Sequence, residues 1–323
     1  MPPLSPVLAV IELTFSPVVS IGGIDVRLET VALAVVIFVG LVIAALMARR
    51  TPVDLDRAPG AIDEDGEPNH LRADDLLYLV VGALPGAVIG GRIGYVLLHL
   101  DYYTANPNAI LDIGQGGLEL ALAVVGGTLS AAVVATMLGG SLGRWMHALI
   151  LPVLLAIGAG KLAMALGGSG QGVPWDGAYA TAYLGPGPWG SLAPEIPSHA
   201  AQVYEGAATF VVVFVLVLVL TAGAFSRRAG GLFLLGIALW ALARAGVATL
   251  WRDPAVVGPL NMGQVIALSV AGGALLMLLA TVVAARRHAG HSSVSSGADV
   301  PSGAGGDRTA VPDWPDPGSR PEI

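Results

Sequence analysis

Seven runs of about 20 predominantly apolar residues dominate this sequence, each long enough to cross the hydrocarbon core of a bilayer as a helix. They are Glu29–Met47, Leu76–Leu98, Gly117–Leu138, Trp145–Leu166, Gln202–Ala224, Gly230–Leu250 and Gly263–Ala285. The chain is 54% hydrophobic and only 12% charged. A soluble domain carries about 25% charged residues, so this chain has too little polar surface to cover a globule in water. The expected fold is an all-α integral membrane protein of about seven transmembrane helices. Residues 1–288 form the membrane domain, with external loops at 99–117 and 167–201. Residues 289–323 are rich in Gly, Ser, Pro and Asp and read as a disordered cytoplasmic tail.

Arginine placement gives the orientation. Arg49, Arg50, Arg57 and Arg72 follow the first run, Arg144 precedes the fourth, Arg227 and Arg228 lie between the fifth and sixth, and Arg286 and Arg287 follow the seventh. If the runs alternate, all of these fall on one side, leaving Arg27 and Arg252 on the other. The basic side is expected to be cytoplasmic, with the N-terminus outside and the C-terminus inside. The start of the chain lacks the basic residues and cleavage site of a signal peptide, so the first run is expected to remain as an anchor. There are no cysteines, which excludes disulfides, thiolate metal sites and lipidation on a cysteine of this chain. The acidic segment Pro52–Asp75 reads as a solvated linker, and no basic patch points to nucleic acid.

Gly82, Gly86, Gly90 and Gly94 recur every four residues in the second run. That period puts four small residues on one helix face, where another helix can pack closely. Trp175, Tyr179, Tyr183 and Trp189 in the loop 167–201 suit the headgroup region of a bilayer.

Ionisable residues inside a span are costly and mark function by default. Arg92 and Lys161 lie 16 residues into their runs and Arg244 lies 14 into its own, depths of roughly 24, 24 and 21 Å. Three cations at one level suggest a shared phosphate ligand from a lipid. Glu29, Glu119, Tyr204, Glu205, His99 and His199 lie at or near the same level as candidate partners.

At these residues the sequence resembles the bacterial prolipoprotein diacylglyceryl transferase family, from about Phe15 to Ser269. FSPVVSIGGIDVR (Phe15–Arg27) resembles that family's entry, and GGRIGYVLLHLDYYTANPNAILDIGQGG (Gly90–Gly117) its second helix and loop. HAAQVYE (His199–Glu205) resembles the family's H-P-S-Q-L-Y-E. Arg244 with Arg252-Asp253-Pro254 resembles its R-F-x-x-E-F-x-R-x-P segment, and LNMGQVIALS (Leu260–Ser269) its L-T-M-G-Q-x-L-S run. The resemblance implies a multi-pass enzyme of the bacterial plasma membrane. It takes the diacylglyceryl group from phosphatidylglycerol, places it on the lipobox cysteine of a preprolipoprotein as a thioether, and releases glycerol 1-phosphate. Its implied partners are that lipid and a lipobox peptide, with no metal or cofactor. The thiol needs a base, for which His199 and Glu205 are the candidates. Arg92, Lys161 and Arg244 would hold the phosphate, with Gln202, Tyr204 and Arg252 in support. By helical spacing, Glu205 faces away from His199 and is expected to pair with a cation.

The sequence also departs from the family. Where the family has H-G-G after Gly116-Gly117, this chain runs GGLELALAVVGG, and neither Ala121 nor Val125 can accept a proton. The family's G-R-I-G-N-F-x-N appears as Gly160-Lys-Leu-Ala-Met-Ala-Leu-Gly167. Trp240 replaces a tyrosine, and Ala248 replaces a glutamate. The alternative expectation is a paralogue that binds phosphatidylglycerol or lipoprotein precursors without catalysis. A transporter is disfavoured by the lack of an inverted repeat.

Overall fold

The structure, a computed structural model, describes residues 10–56, 61–62, 66, 68–112, 117–225 and 230–295, with backbone alone over 285–295. Among these residues seven helices are long and apolar enough to cross a membrane, and the protein is an all-α multi-span membrane protein. They are α1 (Leu28–Ala48), α2 (Asp75–Leu98), α4 (Leu120–Met137), α5 (Leu142–Met164), α6 (Ala201–Thr221), α7 (Gly231–Val247) and α8 (Met262–Ser295). The short α3 (Leu100–Ala105) follows α2. The chain divides into a first unit, Met1–Thr281, which carries the bundle, and a second, Val282–Ile323, whose described part is the end of α8.

Two spans begin away from their expected starts. The run expected from Gly117 becomes helical at Leu120, because Glu119 caps it: its carboxylate accepts from Ala121 N and Leu122 N at 2.8 Å each. The run expected from Trp145 starts earlier, at Leu142. The tail expected to begin at 289 is still helical to Ser295, and 296–323 lie outside the described residues, as do Arg57, Arg227, Arg228 and the side chains of Arg286 and Arg287. The linker Pro52–Asp75 is only partly described. Asn69 Oδ1 there accepts from Val53 N and Asp54 N, and Arg144 Nε donates to Pro52 O at 2.8 Å.

Helix α7 is the axis of the bundle. It is 67% buried, whereas none of the other spans exceeds 28%. An apolar sequence all round a helix calls for neighbours on every side. Helices α5 and α6 pack on α7, and α1 packs on α5. The closest pair is α2 with α4, joined along the glycine stripe: a Cβ on Gly86 would collide with the Gly126 carbonyl, and one on Gly90 with the Leu122 carbonyl. An apolar cavity of about 430 Å³ separates this pair from α1 and α5. Gly40, Ala44, Leu79, Ala83, Thr128 and Ala156 line it, and it reaches Leu120 and Ala123 at the start of α4.

Six short strands, not expected from the sequence, decorate the end of the bundle where α1, α4, α6 and α8 begin. β1 (Ile11–Leu13) pairs in parallel with β4 (Thr181–Tyr183), bringing Leu13 opposite Tyr183. β2 (Val18–Ile21) and β3 (Ile24–Arg27) form a hairpin through Gly22 and Gly23, both at positive φ (60° and 84°). β5 (Ala255–Val257) pairs with β6 (Leu260–Asn261) just before α8.

Candidate active site

The site starts from the glycine stripe. Gly94 ends that stripe, and its missing side chain leaves room for Glu119, whose Cβ lies 2.7 Å from where a Cβ on Gly94 would stand. Glu119 N donates to Gly91 O at 2.8 Å, fixing the start of α4 against α2. Small residues on one helix thus place a carboxylate at the end of the bundle, where it also complements the positive pole of α4.

Glu119 meets a cation from α7. Arg244 Nη2 donates to Glu119 Oε1 at 2.9 Å, and Nη1 pairs with Glu205 Oε1 on α6. The other oxygen of Glu205 lies 3.0 Å from Lys161 Nζ on α5. Four helices therefore contribute to one chain of charges, Lys161–Glu205–Arg244–Glu119, with two cations and two carboxylates balancing to zero. Side-chain exposure is 14% for Lys161 and 5% or less for the other three. Charges buried this deeply need paired partners, since removing one leaves the other stranded. The Arg244 guanidinium also lies over Trp251, 4.6 Å from the ring centre. Arg244 Nε and Trp240 Nε1 find no hydrogen-bond partner among the described residues.

Beside this network lies a polar cavity of about 250 Å³ lined by Lys161, Gly170, Gln171, Gln202, Glu205, Trp251, Arg252 and Asp253. The loop 167–201 walls it. Arg252 ties the loop down, donating to Gly172 O at 2.7 Å, Leu192 O at 2.6 Å and Ser198 Oγ at 3.1 Å. Gln202 Nε2 donates to the Tyr183 hydroxyl at 3.2 Å. Burial pushes the Tyr183 phenol up to about 12, so it stays protonated at neutral pH.

The structure gathers some of the expected residues and separates others. Lys161, Arg244, Glu205 and Gln202 come together, and Glu205 pairs with cations as helical spacing implied. Arg92 does not join them, which corrects the expectation that three cations face one phosphate. Its guanidinium turns to the loop after α3, donating to Ile110 O at 2.8 Å, Ala109 O at 2.7 Å and Asp112 O at 2.8 Å. It also lies 5.2 Å from the Tyr103 ring centre. Equal depth along parallel helices fixes height and leaves direction open, and Arg92 points toward loop carbonyls. His199 stands beside the cavity, outside its lining, stacked on Trp175 at 4.9 Å with Tyr204 at 6.1 Å. His199 Nδ1 is buried without a hydrogen-bond partner among the described residues. Trp175 and Trp189, assigned from sequence to the headgroup region, pack on His199 and on Phe15 and Tyr183.

The departures from the family pattern are structurally accommodated. Gly167 leaves the space that Glu29 enters: a Cβ there would collide with the Glu29 carboxylate, which also accepts from Ser169 Oγ at 3.0 Å and Arg27 Nη2 at 3.3 Å. Ala121, Trp240 and Ala248 are each fully buried. Gln171 and Tyr183 carried no sequence signal for the site. Gln171 sits in a glycine-rich loop, and the sequence around Tyr183 suits an interface aromatic.

The family model for prolipoprotein diacylglyceryl transferase matches residues 17–282. A protein of Allorhizobium ampelinum named phosphatidylglycerol–prolipoprotein diacylglyceryl transferase is 33% identical over 295 residues, covering 86% of this chain and 92% of its own. Proteins of the same name from Trichormus variabilis and Clostridioides difficile are 27% and 26% identical. Each covers 78% of this chain, and 84% and 89% of their own respectively.

Proposed function

The chain belongs to the prolipoprotein diacylglyceryl transferase family, and on that premise we propose that it transfers the diacylglyceryl group of phosphatidylglycerol to prolipoproteins in the bacterial cell membrane. The acceptor is the lipobox cysteine. Its sulfur forms a bond to the terminal glyceryl carbon, the carbon–oxygen bond to phosphate breaks, and glycerol 1-phosphate leaves with the bonding electrons. The thiol proton passes to a base on the protein.

The single observation that carries this reading is the buried network Lys161–Glu205–Arg244–Glu119 beside a polar cavity. A leaving phosphate needs preorganised positive groups in a site shielded from water. Lys161 is the most exposed member of the network, opens onto the cavity and is the group best placed to meet phosphate. Arg244 acts behind it, holding Glu205 and Glu119 in place. Both Glu205 oxygens are engaged by cations, so Glu205 serves as an anchor and His199 is the favoured base, with a free buried ring nitrogen. The apolar cavity reaching Leu120 and Ala123 offers acyl chains a path to the same end of the bundle. Arg92 acts at a distance from the phosphate, by holding the loop 107–112 on α2.

A second reading, binding of phosphatidylglycerol or lipoprotein precursors without transfer, is favoured by one observation: of the two candidate positions for the family's histidine, Ala121 is buried in the core and Val125 is equally apolar. The test is complementation. Expression in a bacterial strain depleted of its own transferase should restore growth and lipoprotein maturation. A stably expressed chain that restores neither supports the binding reading.

A further inference from the structure

Trp251 belongs to two places at once. It is one of the residues lining the polar cavity, and the Arg244 guanidinium lies over its ring, 4.6 Å from the centre. Arg244 itself is buried and is not part of that lining. Its two terminal nitrogens are taken by Glu119 and Glu205. Two end-on contacts leave the guanidinium plane free to tilt about the line joining them, and a ring against its face stops the tilt. An aromatic face also attracts a cation, most strongly where water is excluded.

The ring keeps that place because α8 lacks a side chain beside it. A Cβ on Gly263 would stand 2.4 Å from Trp251 Cζ3 and 2.8 Å from Cε3, so the indole occupies space that any other residue would fill. The start of α8 is fixed by reciprocal capping. Asn261 Oδ1 accepts from Gln264 N at 2.8 Å, and Gln264 Oε1 accepts from Asn261 N at 3.1 Å. The same two side chains reach back to α7, Asn261 Nδ2 donating to Ala248 O at 2.6 Å and Gln264 Nε2 to Ala245 O at 3.4 Å. The run Asn261–Gln264 thus ties α8 to the end of α7 and the turn that follows, directly after Arg244. None of its four residues lines the polar cavity, so its connection to the site runs through Trp251 and the end of α7.

We propose that Trp251, seated in the gap left by Gly263, is a positioning residue for Arg244, and through Arg244 for the Glu205 carboxylate that pairs with Lys161. This inference rests on the function proposed above, in which Lys161 meets the lipid phosphate. Glu205 bridges the two cations, so a tilt of the Arg244 guanidinium is passed on to Lys161 at the cavity. Phenylalanine offers the same kind of face as the indole, whereas leucine fills space without one.

The experiment uses the full chain in nanodiscs containing phosphatidylglycerol, as wild type, Trp251→Leu, Trp251→Phe, Gly263→Ala and the double variant Gly263→Ala/Trp251→Leu. Transfer to a lipobox peptide gives kcat and the peptide KM, and native mass spectrometry gives phosphatidylglycerol retention. Trp251→Leu should lower kcat on the order of 10-fold, the effect of removing a desolvated cation–π contact, with the peptide KM unchanged. Trp251→Phe should restore most of that loss. Gly263→Ala should behave as Trp251→Leu does, because its methyl displaces the ring. In the double variant the alanine should add no further loss, since contacting residues couple and the ring it would displace is gone. Retention should follow the same order and needs no transfer. Equal losses in the leucine and phenylalanine variants overturn the proposal, as do additive effects of the two substitutions or a raised peptide KM with unchanged kcat. A chain that modifies no peptide, yet retains the lipid in that order, keeps this inference and loses the transferase reading. A wild type that transfers, with no difference between leucine and phenylalanine at 251, does the reverse.

Discussion

Arg244 Nη2 donates to Glu119 Oε1 at 2.9 Å across 125 positions of sequence, and the same guanidinium pairs with Glu205. Arg244→Met should therefore leave two carboxylates buried without their shared cation and destabilise the protein by about 3–5 kcal/mol. Adding Glu119→Gln to that variant should recover part of the loss, because contacting residues couple. Thermal unfolding in detergent measures both. Strictly additive effects would show that the pair is not coupled.

The glycine stripe should behave position by position. Gly86→Ala should cost about 1–3 kcal/mol, because the new methyl meets the Gly126 carbonyl and the helices must part. Gly94→Ala should displace Glu119 and lower transfer more than it lowers stability. Gly246→Ala, on an exposed face of α7 with nothing within 4 Å, should be neutral or stabilising by up to about 1 kcal/mol. Unfolding midpoints and transfer rates for the three variants, measured side by side, check the ranking.

Much of this was legible in the sequence for physical reasons. Seven apolar runs had to be spans, and the four-residue glycine period had to be a packing face. Arg92, Lys161 and Arg244 stand out because a charge in an apolar run needs a partner, and Glu205 is among the partners their depth suggests. What failed was direction. Arg92 was placed at their depth, yet its Nε and Nη2 donate to the Ala109, Ile110 and Asp112 carbonyls, and backbone acceptors in a loop leave no trace in side-chain pattern. The parallel pairing of Leu13 with Tyr183 was hidden for a related reason. Three-residue strands are too short to show a period, and their partners lie far away in sequence.

His199 is expected to act as the base. His199→Ala should lower transfer by roughly 100-fold or more, the usual worth of a general base, while phosphatidylglycerol retention on purification stays unchanged. Full activity in that variant would remove His199 from the role.

The arginine distribution predicts the orientation. A reporter active only outside the cytoplasm should be silent when fused after Ser292 and active when fused near Gly185. The opposite pattern would reverse the side on which the polar cavity opens and place the chemistry in the wrong compartment for exported prolipoproteins.

The central claim, that this chain performs the transfer without the family's H-G-G histidine, has one direct test. The purified wild-type protein is given phosphatidylglycerol and a lipobox peptide. The products are followed as glycerol 1-phosphate in solution and as a diacylglyceryl thioether on the peptide. The account predicts that both appear in equal amounts, and that Lys161→Met reduces both together. Unmodified peptide and no released glycerol 1-phosphate, under conditions where the Allorhizobium ampelinum relative yields both, would contradict it.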